Sequence, residues 1–113
     1  MNIMGVLMIA FLIALQVAVA QPAPALVPLE QPSGRVAKIL QSGDGRTKTT
    51  AFKVKSVQEE YQILRVYGLE PGMQALDVEP DGRAFDSLTA KNPRTGVEVE
   101  LWFNISSFFG KEF

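Results

Sequence analysis

The sequence predicts an α+β domain: one helix packed on a three- to four-stranded antiparallel meander, in the order β-α-β-β-β. Three observations carry this. Val57, Tyr61, Leu64 and Tyr67 recur at helical spacing between Ser56 and Gly68. Val97, Val99, Leu101 and Phe103 alternate with Glu98, Glu100 and Trp102, the period of a half-buried strand. Two short turn sequences, Pro80-Asp81-Gly82 and Asn92-Pro93-Arg94-Thr95-Gly96, separate consecutive strand-like runs. Turns that short join antiparallel neighbours. A helix laid on one face is then the economical cover.

The elements follow in order. Arg35 to Gln41 (RVAKILQ) fits a helical turn and a strand equally poorly and stays open. Ser42-Gly43-Asp44-Gly45-Arg46 is a turn by composition. Ala51 to Lys55 alternates apolar and basic, a strand with Phe52 and Val54 inward and Lys53 and Lys55 in water. Ser56 stands three residues before Glu59 in a capping box. Glu59 and Glu60 both fall in the first turn, where the helix dipole favours negative charge. The helix runs from Val57 to Tyr67, Ile63 widens its stripe, and Gly68 stops it. Gln74 to Glu79 reads as a strand with Ala75 and either Leu76 or Val78 inside. Ala84 to Ala90 and Val97 to Phe103 complete the meander. The tail from Asn104 to Phe113 carries Ile105, Phe108, Phe109 and Phe113, apolar enough to be sticky if left in water. Phe108 and Phe109 are expected to pack back on the sheet edge or the helix. The alternative is a docking patch.

Three segments follow from composition. Residues 1–20 read as a secretory signal: Ile3 to Ala20 is uncharged, and Ala18-Val19-Ala20 precedes Gln21 as a small-x-small cleavage site. The only positive charge of the n-region is the terminal amine, so the rival reading is a retained membrane anchor. Residues 21–34, with Pro22, Pro24, Pro28 and Pro32, read as a Pro-rich linker. Residues 35–113 form the small α+β domain. Either reading of residues 1–20 expects export, to the periplasm or the medium, with membrane contact only through residues 1–20 if they are not removed.

Composition narrows the chemistry. With no Cys and no His the chain cannot form disulfides, His-dependent triads or zinc sites built on those residues. A net charge of −1 makes no electrostatic case for nucleic acid. No cofactor or metal is expected. Gly43-Asp44-Gly45-Arg46 lacks the flanking strand, the directly following helix and the Lys-Ser/Thr pair of a phosphate loop. Ser106 and Ser107 have no base at Ser-x-x-Lys spacing, so no catalytic residue is assigned. Asp77 and Asp86 lie on neighbouring strands and could meet across them, though a solvated sheet face is the simpler reading. Trp102, the only Trp, falls on the polar face of its strand. It is either part of an interaction surface, together with Arg65, Arg83 or Arg94, or covered by a second layer such as the Phe108–Phe109 pair.

Two strings resemble a known family. The first is Gly43-Asp44-Gly45 followed by Thr50-Ala51-Phe52-Lys53-Val54-x-Ser56-Val57-x-Glu59-Glu60-Tyr61-x-x-Leu64-Arg65. The second is Asp86, Asn92-Pro93-x-Thr95-Gly96 and Leu101-Trp102-Phe103-Asn104-Ile105-Ser106-x-Phe108-Phe109-Gly110. Together they resemble a family of small exported bacterial domains of unknown function, over roughly residues 43–110. Members of that family often carry Asp where this chain has Asn92 and Asn104. The resemblance implies a bacterial source and an envelope location, and brings no assigned activity.

The expectation is an exported, non-enzymatic protein-interaction module whose binding residues are Trp102, Phe108, Phe109 and Arg65, with an envelope protein as partner. One alternative is a structural or stress-linked envelope protein without a discrete partner. A second is a carboxylate-dependent hydrolase or small-ligand binder, which needs Asp77, Asp86 and a basic residue in one polar pocket.

Overall fold

The computed structural model describes residues 26–111. The signal or anchor assigned to residues 1–20, and the start of the Pro-rich linker, lie outside them. Six elements follow in order: α1 (Gly34–Gln41), β1 (Phe52–Lys53), α2 (Val57–Val66), β2 (Glu70–Val78), β3 (Ala84–Lys91) and β4 (Glu98–Asn104). The class is α+β. The sheet is mixed, in the order β1-β4-β3-β2. The β2-β3-β4 meander is antiparallel, as its turns require. The edge strand β1 instead runs parallel to β4, with Phe52 beside Phe103. A second helix, α1, forms where the sequence left the structure open.

The register sorts side chains onto two faces. Phe52, Phe103, Asp86 and Leu76 share one rung, and Leu101, Leu88 and Gln74 the next. This face carries the core, and Ile63 and Leu64 of α2 and Ile39 of α1 pack into it. On the other face Lys53, Asn104, Phe85 and Asp77 form one rung, and Trp102, Ser87 and Ala75 another.

Several local readings change. Ser56 caps α2, its Oγ accepting from the Glu59 amide (3.2 Å). The Glu59 carboxylate, however, accepts from the Lys55 amide (2.7 Å) and from a two-pronged Arg35 guanidinium (2.8 and 3.1 Å), which ties α1 to α2. The buried stripe of α2 is Glu60, Ile63 and Leu64, with Val57 left exposed. On β2 no side chain is buried, Leu76 and Val78 included. That strand also starts earlier than its turn residues suggest. A bulge between Pro71 and Gln74 absorbs Gly72 and Met73, next to Pro71 at a sheet edge, where proline is tolerated. Within the Pro-rich segment the Leu29 amide donates to the Val66 carbonyl (2.7 Å), and Leu26 packs against the core.

The loop from residue 43 to 51 completes the β1 side. The Gly45 carbonyl accepts from the Trp102 amide (2.7 Å), and the Gly45 amide donates to the Thr50 carbonyl (2.8 Å). Gly45 has φ +69°, and a Cβ there would collide with the Phe52 ring. Gly96 also has positive φ (+76°), but a Cβ there meets open space. Gly45→Ala should therefore cost about 3 kcal/mol, from backbone strain plus overpacking, against about 1 kcal/mol for Gly96→Ala. Urea unfolding of the two variants beside wild type measures the difference.

Candidate functional site

The most unusual chemistry lies under α2. Glu60 points inward, 1% exposed, and neither carboxyl oxygen has a hydrogen-bond partner. Asp86 rises from the sheet to meet it and is itself buried. Burial first, and the neighbouring Asp86 charge second, push the Glu60 carboxyl up to about 8. Protonated, Glu60 carries an O–H that Asp86 can accept. The pair is sealed: with Asp86 6% exposed, neither side chain leaves room for a substrate. On the same rung, Leu76 stands beside Asp86 at the margin of the core.

In the sequence Glu60 reads only as a first-turn carboxylate, outside the apolar stripe. The arc Glu60, Ile63, Leu64, Tyr67 keeps the i, i+3, i+4, i+7 spacing of a buried stripe, and it was the signal that could have found this residue. The approach of Asp77 to Asp86 that neighbouring strands allowed does not occur, and the solvated sheet face preferred for them fails at Asp86, which is buried. Asp86 pairs with Leu76 and Asp77 with Phe85, so the two carboxylates point to opposite faces. The polar pocket that the hydrolase reading needs is therefore not formed by them.

Asp77 belongs instead to a cluster on the second face. Lys48, from the loop before β1, pairs with Asp77 and with Glu79 (2.7 Å). Its ammonium lies 5.9 Å from the Phe85 ring centre and 5.8 Å from that of Trp102, within cation–π reach. Bonds to Asp77 and then Glu79 hold the Lys48 ammonium above its ordinary pKa. Arg83 covers Phe85 from another side at 5.9 Å. This layer explains why Phe85 is buried on a face without a helix.

The four sequence-assigned binding residues are not brought together. Trp102 is half-buried on the second face, its indole N–H donating to Glu100 Oε1 (2.9 Å). The Lys48 loop flanks it, rather than the C-terminal phenylalanines. Arg65 is exposed on α2, across the sheet from Trp102. Phe108 packs partly buried against the core, and Phe109 remains exposed. The Ser106 hydroxyl is bonded to the backbone of Ala84 and that of Ser107 to the Val54 carbonyl. Among the described residues no cluster of acidic side chains is suited to hold a metal ion, and no helix is long and apolar enough to cross a membrane.

Asn92 and Asn104 each brace a turn. Asn92 Oδ1 accepts from the Arg94 amide (2.9 Å) and Asn104 Oδ1 from the Ser106 amide (3.0 Å). An aspartate oxygen would do the same. A family model described as a domain of unknown function (DUF4919) matches residues 31–112. The chain belongs to that family. The matched region takes in every helix and strand of the described residues. No curated protein and no solved structure matches the chain.

The carboxyl pair sets a pH dependence of known sign. In the unfolded chain Glu60 releases its proton near 4.5; in the folded chain it holds it to about 8. Folding between those values takes up a proton, so stability falls as pH rises, on the order of 1 kcal/mol per pH unit. Glu60→Gln should flatten this slope and raise the unfolding midpoint above that of wild type at pH 8, with little change at pH 5. Thermal melts across that range read both.

Proposed function

We propose that this chain is an exported, non-enzymatic interaction module of the bacterial envelope, which takes up an extended segment of a partner protein along the outer edge of β2. The observation that carries the reading is the exposure of this strand. Met73 is 79% exposed, Leu76 54% and Val78 48%, on a strand paired on one side only among the described residues.

The backbone pattern supports it. The Glu79 amide donates to the Arg83 carbonyl (2.8 Å), so Glu79 faces β3. Alternation then turns the N–H and C=O of Leu76 and Val78 outward. A strand added there gains main-chain hydrogen bonds and an apolar step beside Asp86 at once. Pro71 and the bulge blunt the first half of the edge, which leaves Gln74 to Val78 as the usable length. The incoming segment is an extended one, with apolar side chains at alternate positions. The binding surface is thereby moved from Trp102, Arg65 and the phenylalanine pair to the opposite sheet edge.

A photocrosslinker at Leu76, in the chain expressed in its host, tests the docking. Crosslinks should map to an extended, apolar-alternating stretch of one envelope protein and weaken about tenfold on Val78→Lys. Equal crosslinking from a control position at Thr49 overturns the reading. So does a crosslink to a second copy of the chain, which makes the edge a homodimer contact.

Export has its own readout. N-terminal sequencing of protein from the envelope fraction should begin at Gln21. A chain retaining Met1 in the membrane fraction identifies an anchor, and a chain found only in the cytoplasm overturns export.

A further inference from the structure

At the opposite sheet edge, between α1, β1 and the segment after β4, lies a groove of about 420 Å³. Arg35 and Lys38 line it from α1, and Lys53 and Lys55 from β1 and its exit, with Ser42 and Ser107 between them. These are four of the eleven Lys and Arg residues of a chain whose net charge is −1, and no carboxylate lines the groove. The nearest acid is already committed: Glu59 is held by the Arg35 fork and by the Lys55 amide. Hydrogen bonding to Arg35 holds its carboxyl below the usual glutamate range, so it stays ionised. Lys38 and Lys53 make no ion pair among the described residues.

The walls are fixed. Ser42 Oγ donates to the Ile39 carbonyl (2.6 Å) and accepts from the Lys53 amide (2.9 Å), joining the end of α1 to β1. Ser107 Oγ donates to the Val54 carbonyl (3.0 Å), joining the far wall to the exit of β1. Three lysines thus line a braced space of small-ligand size. A multiply charged oxyanion can be met by all three, which a single carboxylate does less well. Lysine suits this task because its ammonium is a compact charge with three rotatable donors.

We propose that the groove binds a phosphate group, carried by a small solute or by a lipid headgroup. The test is an amide-resolved NMR titration of the protein as isolated from its host, with inorganic phosphate as the first probe. Saturable shifts should centre on Lys53, Lys55 and Ser107. They should weaken about tenfold in the Lys38→Gln/Lys53→Gln variant and stay unchanged in Arg94→Gln, which lies outside the groove. Preserved amide dispersion in the double variant shows that its fold is intact. Added salt should weaken the binding as well. Shifts that never saturate, or that spread evenly over the surface lysines and arginines, mean an adventitious ion only and overturn the proposal. Glycerol phosphate and phosphatidylglycerol vesicles then separate the sources: tighter binding of the vesicles through the same amides assigns a headgroup, and tighter binding of the soluble phosphate assigns a solute.

Discussion

The chain has to cross the sheet once, and α2 is the crossing. β1 and β2 lie at opposite edges and run in the same direction, since β1 is parallel to β4 and two antiparallel pairings lead from β4 to β2. No hairpin can join such strands. The ten residues of α2 make the connection over the core face, and the meander then fills the space back to β1. Most else follows from that route. α1 docks beside α2 on the β1 side, tied by the Arg35–Glu59 fork and seated by Ile39. β1, β3 and β4 supply buried side chains to the core and β2 none. The margin of the core falls on one rung, between buried Asp86 and exposed Leu76.

This explains which features could be read in the sequence. The alternation of Val99, Leu101 and Phe103 and the Ser56 cap are local, and they appear where local rules place them. So do the inward Phe52 and Val54. The parallel docking of β1 on β4 joins residues about half the chain apart and leaves no local mark. The burial of Glu60 was hidden by competition between two rules: a first-turn carboxylate suits the helix dipole, and the same position belongs to the buried arc. Packing won, because the arc has to face the sheet. On β2 the alternation of Leu76 and Val78 is a correct strand signal, but alternation cannot say whether anything lies above the apolar face. Trp102 shows the converse: its polar-face assignment is correct, and the layer beside it is a lysine loop that no periodicity announces.

Charge makes the two edges different. The total of −1 hides a segregation that the fold creates. Lys38, Lys53 and Lys55 gather at the β1 edge, while Glu70, Asp77 and Glu79 lie along β2 and its turn. Lys48 crosses over, and its bonds to Asp77 and Glu79 place it between the two regions. A long apolar edge strand is an aggregation hazard. Here acidic residues and a proline bulge guard its start and end, leaving the short stretch around Leu76 open. An edge that was merely tolerated would gain nothing from leaving its most apolar positions outside that guard.

The buried carboxyl pair is the most expensive feature of this arrangement, and its cost depends on protonation. Below a pH of about 8 Glu60 is neutral and its O–H can be offered to Asp86. Above it Glu60 carries a charge in a buried site where desolvation is not offset by a hydrogen bond to either of its oxygens. An apolar residue at position 60 would avoid this, and the arc would accept it, since Ile63 and Leu64 flank the position. The carboxyl therefore does not serve packing alone. It stands over Asp86, whose rung runs from the packed half of the sheet to the bare strand at Leu76.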